Sequence, residues 1–188
     1  MGRRPRLFVV SGPAGVGKGT LVSRVREMRP LLGLPVSATT RAPRPGEIDG
    51  VSYHFLSDAE FDERIRRGDF LEWARVHDHR YGTLKSEVDA CLKRGESVIL
   101  EIDMQGGANV VRHYPDTVRI FIEPPSWEVL VQRLKDRGTE SEESLAIRLN
   151  TAQEELKHAS SYDVRIVNDN LDAAVQELEL TLEKYETE

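Results

Sequence analysis

The chain has 188 residues, 39% hydrophobic and 31% charged, enough for one full core and typical of a water-exposed globular protein. Its 26 Lys and Arg against 32 acidic residues leave a net charge of -6, which argues against non-specific binding of nucleic acid or an anionic membrane. A single cysteine rules out an internal disulfide, and no apolar run approaches the length of a membrane span, so a cytoplasmic protein is expected.

The first predicted element is a short buried strand over Leu7-Phe8-Val9-Val10. It runs directly into Gly12-Pro13-Ala14-Gly15-Val16-Gly17-Lys18-Gly19-Thr20, and Leu21, Val25 and Met28 then mark the apolar face of a helix. Strand, glycine-rich turn and helix with an early lysine form the context that cradles the phosphates of a nucleoside triphosphate. Backbone N–H groups of the turn converge on the anion, the helix N-terminus adds partial positive charge, and Lys18 supplies a full charge that follows a phosphoryl group in transit. One departure stands out: Gly19 occupies the place where most such loops carry a hydroxyl for magnesium. Thr20 comes one residue later, and whether it touches the ion directly or through water is left open.

From about Thr39 to Thr83 the chain has no long apolar strand and is rich in Arg, Pro, Gly and single aromatics, as in a small inserted module. Its Ser37-to-Glu47 approach carries Arg41 and Arg44 on either side of Pro43, and paired guanidinium donors match the oxygens of a phosphate. Tyr53 and Tyr81 are candidate neutral donors to the same group. Ser57-Asp58-Ala59-Glu60 reads as a capping box opening a helix. Beyond the module, Leu84, Val88, Cys91 and Leu92 share a helix face, on which Cys91 is core packing. A strand over Ser97 to Ile102 ends close to Glu101 and Asp103, carboxylates that could orient magnesium-bound water or reach a second ligand; strand-end charge also occurs for purely structural reasons. Further strands cover Val118 to Ile122 and Val164 to Val167, with a helix after the cap Ser126 between them and a helix over Leu171 to Leu182 at the end. Residues Arg137 to Arg148 are polar, carry a second capping-box pattern and suit a mobile lid. The five histidines show no metal-ligand spacing.

Eight segments in order carry a wider likeness: Ser37 to Glu47, Gly50 to Phe55, Phe70 to Ala74, Tyr81-Gly82-Thr83, Glu101 to Gly106, Pro124-Pro125-Ser126, Arg137 to Glu140 and Val167-Asn168-Asp169. With the phosphate loop they make the chain resemble a guanylate kinase along nearly its whole length. The resemblance implies an α/β phosphate-loop fold in three layers, with a parallel sheet core (about 1–38, 84–136 and 149–188), an inserted mixed α/β GMP-binding module (about 39–83) and a short helical lid (about 137–148). It implies ATP and GMP as substrates and Mg²⁺ as the ion that accompanies ATP. ATP would meet residues Gly12 to Thr20, with Asn168 and Asp169 by its adenine, and Lys18, Arg133, Arg137 and Arg148 would neutralise the transferring group. GMP would meet Arg41, Arg44, Tyr53 and Tyr81 at its phosphate and Ser37, Glu72 and Thr83 at its base, and Asp103 would also reach it. Thr20 and Asp103 are the expected magnesium residues.

Chemistry agrees with that allocation. Guanine presents two N–H donors beside a carbonyl, so Glu72 would accept both donors while Ser37 and Thr83 donate to the oxygen. Adenine places a bare ring nitrogen there, and a buried polar site rejects a ligand that leaves it unpaired, on the order of 10⁴-fold. Taken singly, Glu72 reads as a surface carboxylate on an amphipathic segment, and Arg133 has a second reading as a solvated helix residue. Two other functions fit parts of the pattern: an inactive guanylate-kinase-like module that binds a protein partner, and a kinase of similar fold acting on a sugar phosphate. Oligomeric state is not legible.

Overall fold

The computed structural model describes residues 3–76, 78–136 and 142–188. Four strands, β1 (Leu7–Ser11), β6 (Val98–Glu101), β7 (Val118–Glu123) and β8 (Val164–Val167), form an entirely parallel sheet in the order β6-β1-β7-β8. All four coincide with the apolar runs read from the sequence. The central strand β1 is buried at every position, because helices cover both faces and a strand wet on neither side needs no polar alternation.

Its side chains still alternate between two cores. Phe8 and Val10 join Ile99, Ile120 and Ile122 against α1 (Lys18–Met28), α5 (Trp127–Asp136) and α7 (Leu171–Thr187), through residues such as Leu21, Val25, Leu130, Leu178 and Leu182. Leu7 and Val9 face the other way, towards Val88 and Cys91 of α3 (Lys85–Lys93) and Val110 of α4 (Met104–His113). Each such side chain, fully removed from water, contributes about 1.5–3 kcal/mol. Ser126 caps α5 as its position suggests, its Oγ accepting the Val129 N–H at 3.3 Å.

The remaining strands, β2 (Ser37–Thr39), β3 (His54–Phe55), β4 (Phe70–Val76) and β5 (His79–Leu84), make a second, mixed sheet in the order β3-β2-β5-β4. It closes over α2 (Asp58–Arg67) around a core of its own, in which Phe61 and Phe70 stack with centroids 4.4 Å apart. The predicted capping box opens α2: Ser57 Oγ accepts the Glu60 N–H at 3.2 Å and Glu60 accepts the Ser57 N–H at 2.7 Å. The module sheet begins at Ser37, two residues earlier than the sequence boundary, because Ala38 packs into the Phe61 core rather than under the parallel sheet. The segment assigned as a lid begins outside the described residues, at 137–141; from Glu142 the chain is one continuous helix, α6 (Glu142–Lys157), extending nine residues beyond Arg148. Among the described residues no helix is long and apolar enough to cross a membrane.

Candidate active site

Loops leaving the carboxyl ends of the parallel strands converge above the sheet, the usual ligand position in such folds. The turn from β1 to α1 is the phosphate loop, with Gly12, Gly15 and Gly17 at φ of 144°, 84° and 94°. At Gly12 both backbone conformation and space demand glycine, since a Cβ there would stand 2.4 Å from the Ile122 carbonyl oxygen of β7. No side chain caps α1 and its first turn contains no acid, so its leading N–H groups suit an external anion. Lys18 Nζ lies over the loop, donating to the carbonyls of Gly12 at 2.5 Å and Pro13 at 3.0 Å.

A Cβ at Gly19 would come 3.2 Å from the Glu101 carboxylate at the end of β6, the tip of an exposed side chain that can give way. Asp103, read as a strand end, instead stands past β6 as the N-cap of α4, where its Oδ1 accepts the Gly106 N–H at 2.7 Å. A cavity of about 400 Å³ beside the loop is lined by Gly12, Lys18, Glu101, Asp103, Arg148 and Glu155. Glu155 was not singled out in the sequence. Its signal is spacing: Arg148 and Glu155 are seven residues apart on α6 and therefore share a helix face. Burial raises the Glu155 carboxyl above the usual range; Lys18 opposes that rise and Asp103 adds to it.

Arg133 lies elsewhere. Its guanidinium donates to the Asn168 carbonyl at 3.1 Å and lines a different cavity, about 240 Å³, with Gly15, Thr20 and the exposed Asp169. Asn168 is buried, and its Nδ2 donates to the Val16 carbonyl at 2.8 Å, so its side chain acts on the phosphate loop from behind. Thr20 and Asp103 therefore line separate cavities. Arg137 lies outside the described residues.

The second sheet builds the rest of the site by register. Ser37 pairs with Thr83, and Thr83 with Glu72, so three side chains from three adjacent strands project from one face. Thr83 Oγ1 donates to Glu72 Oε1 at 2.7 Å, a bond that the sequence alone had directed to a base. Burial pushes the Glu72 carboxyl above the usual range, with Thr83 pulling it down and Asp103 pushing it further up. Glu72, Trp73, Asp103 and Asn109 line a cleft of about 260 Å³. Asp103 thus borders both this cleft and the Lys18 cavity.

Two residues along β5 from Thr83, Tyr81 packs edge-on to Tyr53 with ring centroids 6.1 Å apart, and the Arg41 guanidinium lies 5.4 Å from the Tyr53 centroid. Arg41 is held by a two-pronged pair with Glu47, at 2.8 and 3.0 Å, and Glu47 also accepts the Arg44 N–H at 2.7 Å. Those partners, Arg41 first, hold the Glu47 carboxyl down at about 2. The Arg44 side chain is exposed, whereas Arg41, Tyr53 and Tyr81 form one polar cluster.

A family model described as guanylate kinase matches residues 4–185. The chain belongs to the guanylate kinase family. It is 51% identical to the guanylate kinase of Gloeobacter violaceus over 94% of this chain and 86% of that protein, and 49% identical to that of Thermobifida fusca over 92% and 88%. The crystal structure of guanylate kinase from Anaplasma phagocytophilum superposes with a TM-score of 0.70 at 28% identity, covering 100% of this chain and 89% of that one. A gluconokinase from Sinorhizobium meliloti, at 19% identity and a TM-score of 0.51 over 98% and 95% of the two chains, shares the fold alone. The α/β phosphate-loop architecture and the guanylate-kinase assignment expected from the sequence are both met.

Proposed function

We propose that this chain transfers the γ-phosphoryl group of MgATP directly to GMP, and to dGMP, giving ADP and GDP, as a step of purine nucleotide metabolism in the cytoplasm. One observation carries the reading. The register of the second sheet puts Ser37, Thr83 and Glu72 on one face, and Glu72 lines a cleft that shares Asp103 with the Lys18 cavity, which supports an acceptor base and a donor phosphate on either side of one carboxylate.

At the acceptor, Glu72 takes the N–H edge of guanine, helped by Asp103, while Ser37 and the Thr83 hydroxyl turn to the carbonyl. Arg41, Arg44, Tyr53 and Tyr81 hold the monophosphate. At the donor, residues Gly12 to Thr20 wrap the phosphates, Asn168 keeps the loop in shape through Val16, and Asp169 stands at the adenine end beside Arg133. Lys18 and Arg148, which line one cavity, face the transferring group there, and Arg137 joins them on the family's pattern. Because phosphoryl transfer asks for in-line oxygens and neutralised charge rather than covalent help, these cations and the shape of the cavity do most of the protein's work.

The donor set suits magnesium. Glu101, Asp103 and Glu155 offer hard oxygens around the loop, yet among the described residues no three His, Cys, Asp or Glu side chains converge into a cage. Magnesium keeps most of its waters and takes its other oxygens from phosphates, so water-bridged contact from Asp103 fits; Thr20 offers its hydroxyl on the other side of the loop. When bound, the ion supplies charge neutralisation on the ATP phosphates.

A coupled assay of ADP formation with GMP, dGMP, AMP, CMP and UMP tests the reading. GMP is expected to be used on the order of 10⁴-fold better than AMP, the discrimination of a buried hydrogen-bonding base site. Equal use of AMP would refute the acceptor assignment, and no turnover with any monophosphate would favour a binding module.

A further inference from the structure

Glu87, in the first turn of α3, is outside every motif of the phosphate loop and acceptor cleft, yet it joins the module to the core at two points. Its Oε2 accepts the Val36 N–H at 3.3 Å, and its Oε1 lies 2.9 Å from His54 Nε2. Val36 immediately precedes Ser37, and His54 immediately follows Tyr53. One carboxylate on a core helix therefore grips the neighbour of a base-reading hydroxyl and the neighbour of a phosphate-facing tyrosine.

The backbone leaves work for such a grip. Strand β3 is two residues long and pairs with β2 only at Ala38–His54 and Thr39–Phe55, and β2 itself is three residues long. Strands this short are weak supports, since a ladder of two pairs gives little cooperative hydrogen bonding. Glu87 and His54 are both half-buried, 27% exposed at the side chain, where water only partly competes with the contact. Directly after β5 the chain enters α3, so the first turn of α3 is also where the module rejoins the core.

We infer that Glu87 is a positioning residue for GMP, a clamp that fixes the spacing between the base-reading strand β2 and the Tyr53 end of the phosphate cluster. The inference rests on the acceptor assignments proposed above. It predicts a defect confined to one substrate: Glu87→Ala raises KM for GMP on the order of tenfold, as two hydrogen bonds at a half-exposed site allow, and leaves KM for ATP within about twofold. Glu87→Gln restores KM for GMP to within about threefold of wild type, because its amide oxygen accepts the Val36 N–H and its amide nitrogen donates to His54 Nε2 in the tautomer that carries its proton on Nδ1. His54→Ala reproduces part of the Glu87→Ala defect, and the double variant is less than additive, as expected for groups in contact.

The experiment is steady-state kinetics on these four variants with each nucleotide varied in turn, alongside Glu72→Gln in the same assay. An unchanged KM for GMP in Glu87→Ala, equal loss for both nucleotides, or a Gln variant as impaired as the Ala variant would overturn the clamp. If Glu87→Ala does not fold, the His54→Ala and Glu87→Gln arms decide by the same criteria. Wild-type GMP use by Glu72→Gln would overturn the acceptor reading instead, and the two failures are read from different variants.

Discussion

Glu72→Gln separates recognition from stability at a single position. Glutamine is nearly isosteric, and its amide oxygen can still take the 2.7 Å bond from Thr83, so the sheet register should hold. What changes is the second position facing the base, where an acceptor becomes a donor. Losing a hydrogen bond to a charged group costs about 1.5–3 kcal/mol, and leaving opposed N–H groups unpaired costs about 1–3 kcal/mol more. The half-buried site favours the lower part of the sum, about 3–4 kcal/mol, which is a loss of kcat/KM for GMP of about 10²- to 10³-fold. KM for ATP should be unaffected. Stability should move the other way. Burial raises the Glu72 pKa above that of a free glutamate, so between those two values the folded state binds more protons than the unfolded state. Stability contributed by this group is therefore present below the unfolded pKa and lost as pH rises through the folded one. Glutamine removes that loss, so the variant should melt at or above the wild-type temperature at pH 7. Coupled kinetics with GMP, AMP and ATP, with thermal melts at pH 5 and 7, make the check. A loss of GMP use under threefold would refute base reading by Glu72, and a variant that melts well below wild type would refute the burial argument.

Gly12→Ala puts a Cβ 2.4 Å from the Ile122 carbonyl at a φ of 144°, which should cost about 1–3 kcal/mol or more in urea unfolding and raise KM for ATP; a stability within about 0.5 kcal/mol of wild type would contradict the packing argument. Asn168→Ala leaves the Val16 carbonyl without its buried donor, at about 1–3 kcal/mol, and should weaken ATP and GTP as donors alike while sparing GMP; a change in donor-base preference would instead assign Asn168 to the adenine. Glu47 has a folded pKa depressed to about 2, so its contribution is present above the ordinary carboxylate range and lost as pH falls towards 2. Glu47→Gln should accordingly flatten the acid limb between pH 4.5 and 2 and raise KM for GMP, because Arg41 loses its two-pronged anchor; circular dichroism against pH and GMP kinetics test both.

The parallel core was legible in the linear chain because its inner strands are buried on both faces. Leu7 to Val10 reads as a continuous apolar run and Val118 to Ile122 as one broken only at Arg119, and the phosphate loop has a local backbone requirement that only spaced glycines meet. The capping box at Ser57 and Glu60 was equally local. Much of the acceptor site was named only through family resemblance, since Ser37, Glu72 and Thr83 sit far apart in the chain and none has a periodic signal of its own.

Tertiary structure decided three things. Strand register brings Ser37, Thr83 and Glu72 onto one face, because cross-strand pairing and not sequence spacing sets which side chains meet. Packing across the loop ties the buried Asn168 side chain to the Val16 carbonyl. Helix placement divided the arginines, with Arg148 beside Lys18 and Arg133 in a separate cavity near Asp169. By itself the sequence determined which elements form and which phosphate chemistry the loop supports, since both depend on residues near one another in the chain. Which groups face one another across the two nucleotide sites depended on the long-range pairing of strands and helices, which the order of residues does not display.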